Sequence, residues 1–466
     1  MGSSDLWKTL TFSTLFICLI FIFLTNSKNH DLFPFHGDPI SSSFSAVDRS
    51  GDTPTDLRHV AFGLLGSEKA WHHRKAYIES WWRPNVTRGL LYLDKPPTGG
   101  DLLPWSAASP PFRVSEDLTA FVAETRAVAP IMIRMVHGIM EVFREMDGGD
   151  LRWVVMGDDD SVFFVDNIVD FLAKYDHRRY YYFGGQSEFV MSNYWFAFDQ
   201  GFGGAGFVLS YPLAKDLADG MENCLRRHAG ENSADLITMH CVADLGVNLT
   251  PLKGSHQIDL HGDISGLLSA HPKTPLLSLH HLDLVEPIFP SMDRFDSTRH
   301  LMKAAAADQS RMLQQTICYD RRRSWSVSVA WGYSVNIYET IIPRSELQKP
   351  VETFQPWSPA RRPPPLYMFN TRRLSNTSCE SPHVFFLEEV TKVPTGRILT
   401  AYARAARRGL PPCHGDAADS VSKILVDSPA GKRVEIDRSE CCDIVGVDGD
   451  VAKVNFRECA VGEVIA

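Results

Sequence analysis

The rhythm of hydrophobic and polar positions changes several times along the 466 residues, and each rhythm predicts a different kind of structure. From Thr9 to Thr25 the chain reads TLTFSTLFICLIFIFLT, uncharged and bracketed by Lys8 and Lys28. That run is near the lower limit of roughly 17 residues for a membrane-spanning helix. No A-x-A cleavage pattern follows at Asn26-Ser27-Lys28-Asn29-His30. The run therefore predicts an uncleaved signal anchor, with a short cytosolic N-terminus and the remainder lumenal. From His30 to about Asp56, Ser, Pro, Gly and Asp replace any periodicity, as in a flexible stem.

Ordered structure is expected to begin at Arg58–Gly66 (RHVAFGLLG), a short apolar run closed by glycine and so a buried strand. Glu68 to Trp82 predicts a helix stopped by Pro84, and Gly89–Leu93 a second strand. Ser115 to Met146 is the longest helical stretch. Ser115-Glu116-Asp117 would cap it, Pro130 would split it and Gly148-Gly149 would end it. The apolar Leu151–Met156 (LRWVVM) then runs directly into Gly157-Asp158-Asp159-Asp160. Strands alternating with helices predict an α/β fold with a doubly wound sheet. Beyond about Asp296 the pattern changes again. Ser324 to Tyr338 (SWSVSVAWGYSVNIY) alternates as a strand does, and Pro and Arg cluster through Gln355–Pro365. The expected organisation is an anchor over 1–29, a stem over 30–56, an α/β domain over 57–300 and a smaller β-rich module over 301–466.

Composition adds limits. With 44% hydrophobic and 22% charged residues the chain has the material for a sizeable core. A net charge of -9 argues against a nucleic-acid partner, which selects for a basic face. Cys18 lies in the apolar run, leaving Cys224, Cys241, Cys318, Cys379, Cys413, Cys441, Cys442 and Cys459. An even set in a secretory chain predicts disulfides without fixing their pairing, and none of the spacings suits a zinc site. Asn85-Val86-Thr87, Asn248-Leu249-Thr250 and Asn376-Thr377-Ser378 are glycosylation acceptors in a lumenal protein.

Three adjacent carboxylates after a buried strand carry the chemistry. Packed this closely they repel one another, and each resists ionisation unless a cation sits among them. A D-x-D pair at a strand's C-terminal end suits a hard divalent ion whose remaining positions are filled by phosphate oxygens. Ligands of open α/β sheets bind outside those ends. A solvated acidic turn is the plainer reading, but Val154-Val155-Met156 and Val162-Phe163-Phe164 give the turn apolar flanks on both sides. Asp158-Asp159-Asp160-Ser161-Val162 also fits the D-x-D-x-[T/V] of haloacid-dehalogenase-type phosphatases, with Asp158 as nucleophile. Gly201, Gly203 and Gly206 match the G-x-G-x-x-G of dinucleotide folds, a weak signal alone. The aromatic tract Tyr180–Phe183 and Tyr194–Phe196 suits either core packing or sugar stacking.

Arg152–Phe164 (RWVVMGDDDSVFF) resembles the fringe-like β-1,3-glycosyltransferases, and the longer pattern resembles their plant fringe-related branch. Arg74–Trp82 is similar to the family's Arg-rich helix. Gly203-Gly204-Ala205-Gly206-Phe207 is similar to its sugar-site glycine stretch, Ala234-Asp235-Leu236 to its acidic loop, and Ser278–Asp283 to its late histidine motif. The Cys441-Cys442 pair and Cys459 resemble the C-terminal region of the plant members. The resemblance implies a GT-A type doubly wound mixed sheet and a type II Golgi membrane protein. It also implies a hexosyltransferase using Mn2+ or another divalent cation, with a UDP-sugar donor (galactose or N-acetylglucosamine) and a glycan or glycoprotein acceptor. It makes Asp158, Asp160 and His280 the metal ligands. Arg74, Asp158, Asp159, Gly204, Ala205 and Gly206 would contact the donor, and Asp235 would be the general base. Family members often carry two acidic residues where this chain has Ala234-Asp235, which keeps a non-catalytic, sugar-binding relative as the alternative. His256 is a second candidate ligand.

Overall fold

The computed structural model describes residues 53–358, 364–406, 409–413, 418–432 and 438–465. The expected anchor and most of the stem lie outside them. No helix among the described residues is long and apolar enough to cross a membrane.

Along the chain come Val60–Leu65 (β1), Arg88–Leu93 (β2), Phe112–Val114 (β3), Trp153–Asp158 (β4), Val162–Phe163 (β5), Tyr182–Gly184 (β6), Phe207–Ser210 (β7) and Leu249–Pro251 (β8). All but β5 form a mixed sheet in the order β3-β2-β1-β4-β7-β6-β8. Strands β1 to β4 run parallel where they pair, and β7 is antiparallel to both β4 and β6. Sequence explains why β1 and β4 sit at the centre. Phe62, Leu64, Trp153 and Val155 enter one core, while Ala61, Leu65, Val154 and Met156 enter a second. A strand buried on both faces reads as an unbroken apolar run. Helix Glu68–Glu79 sends Trp71, Tyr77 and Ile78 into the first core, and helix Pro130–Met146 sends Ile133, Val136, Ile139 and Val142 into the second.

The long helical stretch divides at Pro130, which takes the first turn of the second helix, where its missing N–H is harmless. Its expected cap differs. Leu118 precedes the helix Thr119–Thr125 without a side-chain cap, while Asp117 Oδ1 accepts the Thr119 N–H at 2.9 Å.

Ser255–His256 (β9), Leu260–Gly262 (β10) and Ser278–Leu279 (β11) follow, and β5, β11 and β9 make a small sheet. The C-terminal part is β-rich, as expected. It comprises Gln315–Asp320 (β12), Trp325–Ala330 (β13), Ser334–Tyr338 (β14), Phe354–Pro356 (β15), His383–Val393 (β16), Arg397–Arg404 (β17), Lys423–Pro429 (β18), Cys441–Asp448 (β19) and Val451–Arg457 (β20). Strand β15 pairs back onto β10; the others form a sheet in the order β12-β13-β14-β16-β17-β18-β20-β19. The alternating stretch Ser324–Tyr338 is a hairpin rather than one strand. Phe62 and Val327 share one core, and the chain from Pro54 onward is one compact unit. The boundary expected near residue 300 therefore falls within a shared interior.

All eight cysteines after Cys18 pair, as Cys224–Cys241, Cys318–Cys442, Cys379–Cys413 and Cys441–Cys459. The second bridge joins β12 to β19, the two outer strands of the large C-terminal sheet. Asn85, Asn248 and Asn376 are all exposed.

Candidate active site

Strands β1 and β4 are paired so that Leu65 lies opposite Asp158, and both chains leave the sheet at the same edge. Ser67 then caps helix Glu68–Glu79, while β4 turns through Asp158–Ser161. The Ser161 hydroxyl accepts the Asp158 N–H at 2.8 Å and donates to Gly204 O at 2.7 Å. One small side chain thus fastens the aspartate turn to the glycine turn.

The three carboxylates diverge. Asp159 faces the helix start, accepting from Ser67 N at 3.2 Å and from Arg74 Nη1 at 2.9 Å. Gly66 leaves room for it, since a Cβ there would come within 2.6 Å of Asp159 Oδ2. Asp160 is wholly buried; its Oδ1 meets His280 Nε2 at 3.1 Å and its Oδ2 lies 3.3 Å from Arg74 Nη2. Asp158 keeps a quarter of its side chain exposed and sits 3.8 Å from His280 Nε2. Arg74 also donates to Asp283 Oδ2 at 2.9 Å.

Ligand atoms of Asp158, Asp160 and His280 all lie within 4.8 Å of one another. Two carboxylate oxygens and an imidazole nitrogen suit Mn2+ or a similar ion, and such small cations hold oxygens at roughly 2.1 Å. Asp160 Oδ1 is the oxygen turned to His280, at 3.1 Å, while Oδ2, buried without a hydrogen bond, lies 3.3 Å from Arg74 Nη2. The donor set fits a divalent cation. His256 is not part of it: its Nδ1 faces Glu188 Oε1 at 2.8 Å. Nor is His281, whose Nδ1 lies 3.2 Å from Asp259.

Gly203–Gly206 closes a turn, with Gly206 N donating to Gly203 O at 2.9 Å. Gln257 Oε1 accepts the Ala205 N–H at 2.8 Å, and the Ser278 hydroxyl donates to Ala205 O. At Gly204 a Cβ would stand 2.0 Å from the His280 ring, so the imidazole can lie there only over glycine. Gly206 adopts φ +84°, and a Cβ there would meet Phe163 at 2.5 Å. The turn leads into β7, not into a helix, so it lacks the helix N-terminus that cradles phosphate in a dinucleotide fold.

Gly203 N donates to Asp235 Oδ1 at 2.9 Å. Asp235 is half-buried in the first turn of helix Ala234–Asp244, which Cys224–Cys241 ties to helix Tyr211–Arg227. Asp158 and Asp235 line the same cavity of about 20 Å3, room for a single water.

The model of the DUF604 family, described as a protein of unknown function, matches residues 192–442, more than half of the chain. The chain belongs to the DUF604 family. Among curated proteins none matches it. The DUF604 match contains the glycine turn, Asp235 and His280, and it begins after the aspartate turn.

Arg74, Asp158, Asp159, Asp160, Gly204, Ala205, Gly206, Asp235 and His280 therefore meet at one sheet edge, and His256 stands outside the ligand cluster. Ser161, Gln257, Asp259 and Asp283 were not singled out. Asp283 closes the histidine motif and Ser161 follows the aspartates, so position beside a motif was the available signal. Gln257 likewise follows His256, whereas Asp259 carries no such mark.

Repulsion among the carboxylates is borne unequally in this DUF604 chain. Burial raises Asp158 most, Asp160 and Asp235 raise it further against the pull of His280, and its carboxyl is pushed up to about 7. Burial also acts on Asp160, but His280 and then Arg74 outweigh it and hold the group well below the usual carboxylate range. His280 is raised to about 9, the Asp160 and Asp158 charges overcoming burial. For Asp158 the folded value exceeds the ordinary value of about 3.9, so the folded state retains a proton that the unfolded chain releases. Its contribution to stability is full below about pH 4 and is lost as pH rises through about 7. Asp158→Asn removes that loss. In EDTA the variant is expected to melt a few degrees above the parent at pH 8 and level with it at pH 4. A melting shift independent of pH would contradict the assignment.

Proposed function

We propose that this chain is a metal-dependent, inverting glycosyltransferase of GT-A type, related to the plant fringe-like branch. It would move a sugar from a UDP-sugar to a hydroxyl of a glycan or glycoprotein. The observation that carries the reading is the convergence of Asp158, Asp160 and His280 at the end of β4, with Asp235 across a shared cavity. The mixed sheet order, with β7 antiparallel to its neighbours, supports the GT-A assignment.

Asp158, Asp160 and His280 would hold a divalent cation, whose charge would offset that of the departing diphosphate. Arg74 fixes the orientation of Asp159 and Asp160 and adds positive charge beside them. Gly204 keeps the His280 ring against the turn, and the backbone of Gly204–Gly206 offers a surface without side-chain bulk to the donor sugar. Asp235 takes the proton from the acceptor hydroxyl as its oxygen bonds to the anomeric carbon and the bond to UDP breaks. One displacement inverts the configuration. The aromatic tract separates into two roles. Tyr182 and Phe183 are buried in β6, whereas Tyr194, Trp195 and Phe196 are exposed shortly before the glycine turn and offer ring faces to an acceptor sugar.

The N-terminal apolar run and the three exposed glycosylation acceptors support a Golgi, type II placement. The deciding experiment offers a panel of UDP-sugars, led by UDP-galactose and UDP-N-acetylglucosamine, to the purified protein with Mn2+ and then with EDTA. Mn2+-dependent UDP release with sugar transfer or hydrolysis is the expected result. Mn2+-dependent UDP binding without turnover of any donor would favour the sugar-binding relative instead. Absence of UDP binding would overturn both.

A further inference from the structure

A cavity of about 800 Å3 opens in the C-terminal part of the fold, and none of Arg74, Asp158, Asp160, Asp235 or His280 lines it. Its size falls within the roughly 300–1,000 Å3 of small-molecule sites. The alternating stretch Ser324–Tyr338 explains its wall. Val327, Val329, Val335 and Ile337 supply the apolar core, and the residues between them face the other way. In most antiparallel sheets such polar positions face water. Here Ser326, Ser328, Ser334 and Asn336 are all buried. Ser328, Asn336 and Val384 are partners across three adjacent strands, and all three line the cavity.

The hydrogen bonds of this polar wall are incomplete. Gln315 Nε2 donates to Ser328 Oγ at 3.0 Å and to Leu347 O at 2.7 Å. Asn336 is 8% exposed, and its Oδ1 has no hydrogen-bond partner. Buried polar groups are nearly always satisfied, so an orphan acceptor lining a large cavity points to a donor brought by a ligand.

Most of the charge in the wall is engaged by the protein itself, and Arg404 donates to the carbonyls of Val421 and Ala418. Lys349 pairs with Glu346 at 2.7 Å and Glu388 with Lys423 at 2.7 Å. Asp263 accepts from the Ser265 N–H and hydroxyl, and Arg372 donates to the Tyr338 hydroxyl while lying over its ring. What remains is a set of uncharged hydroxyls and amides with the half-buried ring of Phe386 among them. Hydroxyl-rich edges meeting amides, and C–H faces meeting aromatic rings, are the means by which an uncharged sugar is recognised.

We propose that this cavity is a second carbohydrate site, taking an uncharged di- or trisaccharide on the wall formed by Ser328, Asn336 and Phe386. It is separate from the candidate active site and does not depend on the transferase reading.

Binding to the full-length chain is tested in EDTA by calorimetry and saturation-transfer NMR. Lactose, cellobiose and mannotriose serve as uncharged probes, with glucose 1-phosphate and glucuronic acid as charged controls. At least one uncharged probe is expected to bind with millimolar or tighter affinity, and the charged controls are not. Asn336→Leu should weaken that binding tenfold or more. Leu374→Trp, at an exposed position on the cavity's edge, should also weaken it, and this variant decides the matter if Asn336→Leu does not fold. Asp158→Asn should leave it unchanged. The proposal fails if no uncharged probe binds, if only the charged controls bind, if Asp158→Asn abolishes binding, or if folded cavity variants bind as the parent does.

Discussion

Asp160→Ala is expected to abolish Mn2+-dependent UDP binding and also to weaken the metal-free fold. The first effect follows from the loss of the only wholly buried carboxylate among the three candidate ligands. The second is the opposite of what repulsion within the trio alone would give, since removing one carboxylate relieves it. In the folded protein His280 and Arg74 hold Asp160 from two sides, and without it both cations lose a buried counter-charge. Breaking one partner of such a buried pair costs about 3–5 kcal/mol. The depressed pKa of Asp160 gives this effect a sign in pH. Its contribution is present above the ordinary carboxylate value of about 3.9 and is lost as pH falls. Urea unfolding in EDTA should therefore show a large deficit for the variant at pH 7 that narrows towards pH 3. Calorimetry with UDP and Mn2+ reads the other arm. An unchanged UDP affinity would remove Asp160 from the site.

Local sequence made much of this legible because the strongest signals are local. Val154–Met156 had to be a strand buried on both faces, and three acids directly after such a strand had few other uses. The glycine turn was visible for a similar reason. What lay beyond local reading was the choice between histidines. His256 and His280 stand on or beside the paired strands β9 and β11, and Leu279 lies opposite His256 in that pairing. Glu188, far away in the chain, engages the first, while Asp160 meets the second. Only tertiary folding separates them. The hairpin of β13 and β14 teaches the same point. Its alternation announced two faces, but nothing in the alternation told that the serine face would be enclosed. Disulfide pairing was equally hidden, since Cys441 and Cys442 are adjacent yet bridge to Cys459 and Cys318 respectively.

Asp235→Asn is expected to leave Mn2+-dependent UDP affinity within about twofold and to lower turnover by roughly 100-fold or more, the scale of lost base catalysis. Asn retains an oxygen for the Gly203 N–H, so the glycine turn and the His280 ring it supports have no reason to shift. What disappears is the proposed proton acceptor. Burial pushes the Asp235 carboxyl up to about 6, against the opposing Gly203 N–H and the His280 charge. A base of that strength is ionised at neutral pH yet still able to hold a proton in transit. The proposed turnover of the parent protein is accordingly expected to fall as pH drops through about 6, and the residual turnover of the variant to lack that limb. The two readouts separate the possibilities. Turnover that survives places the base elsewhere, whereas loss of UDP binding together with turnover would make Asp235 a strut for the glycine turn rather than the group that accepts the proton.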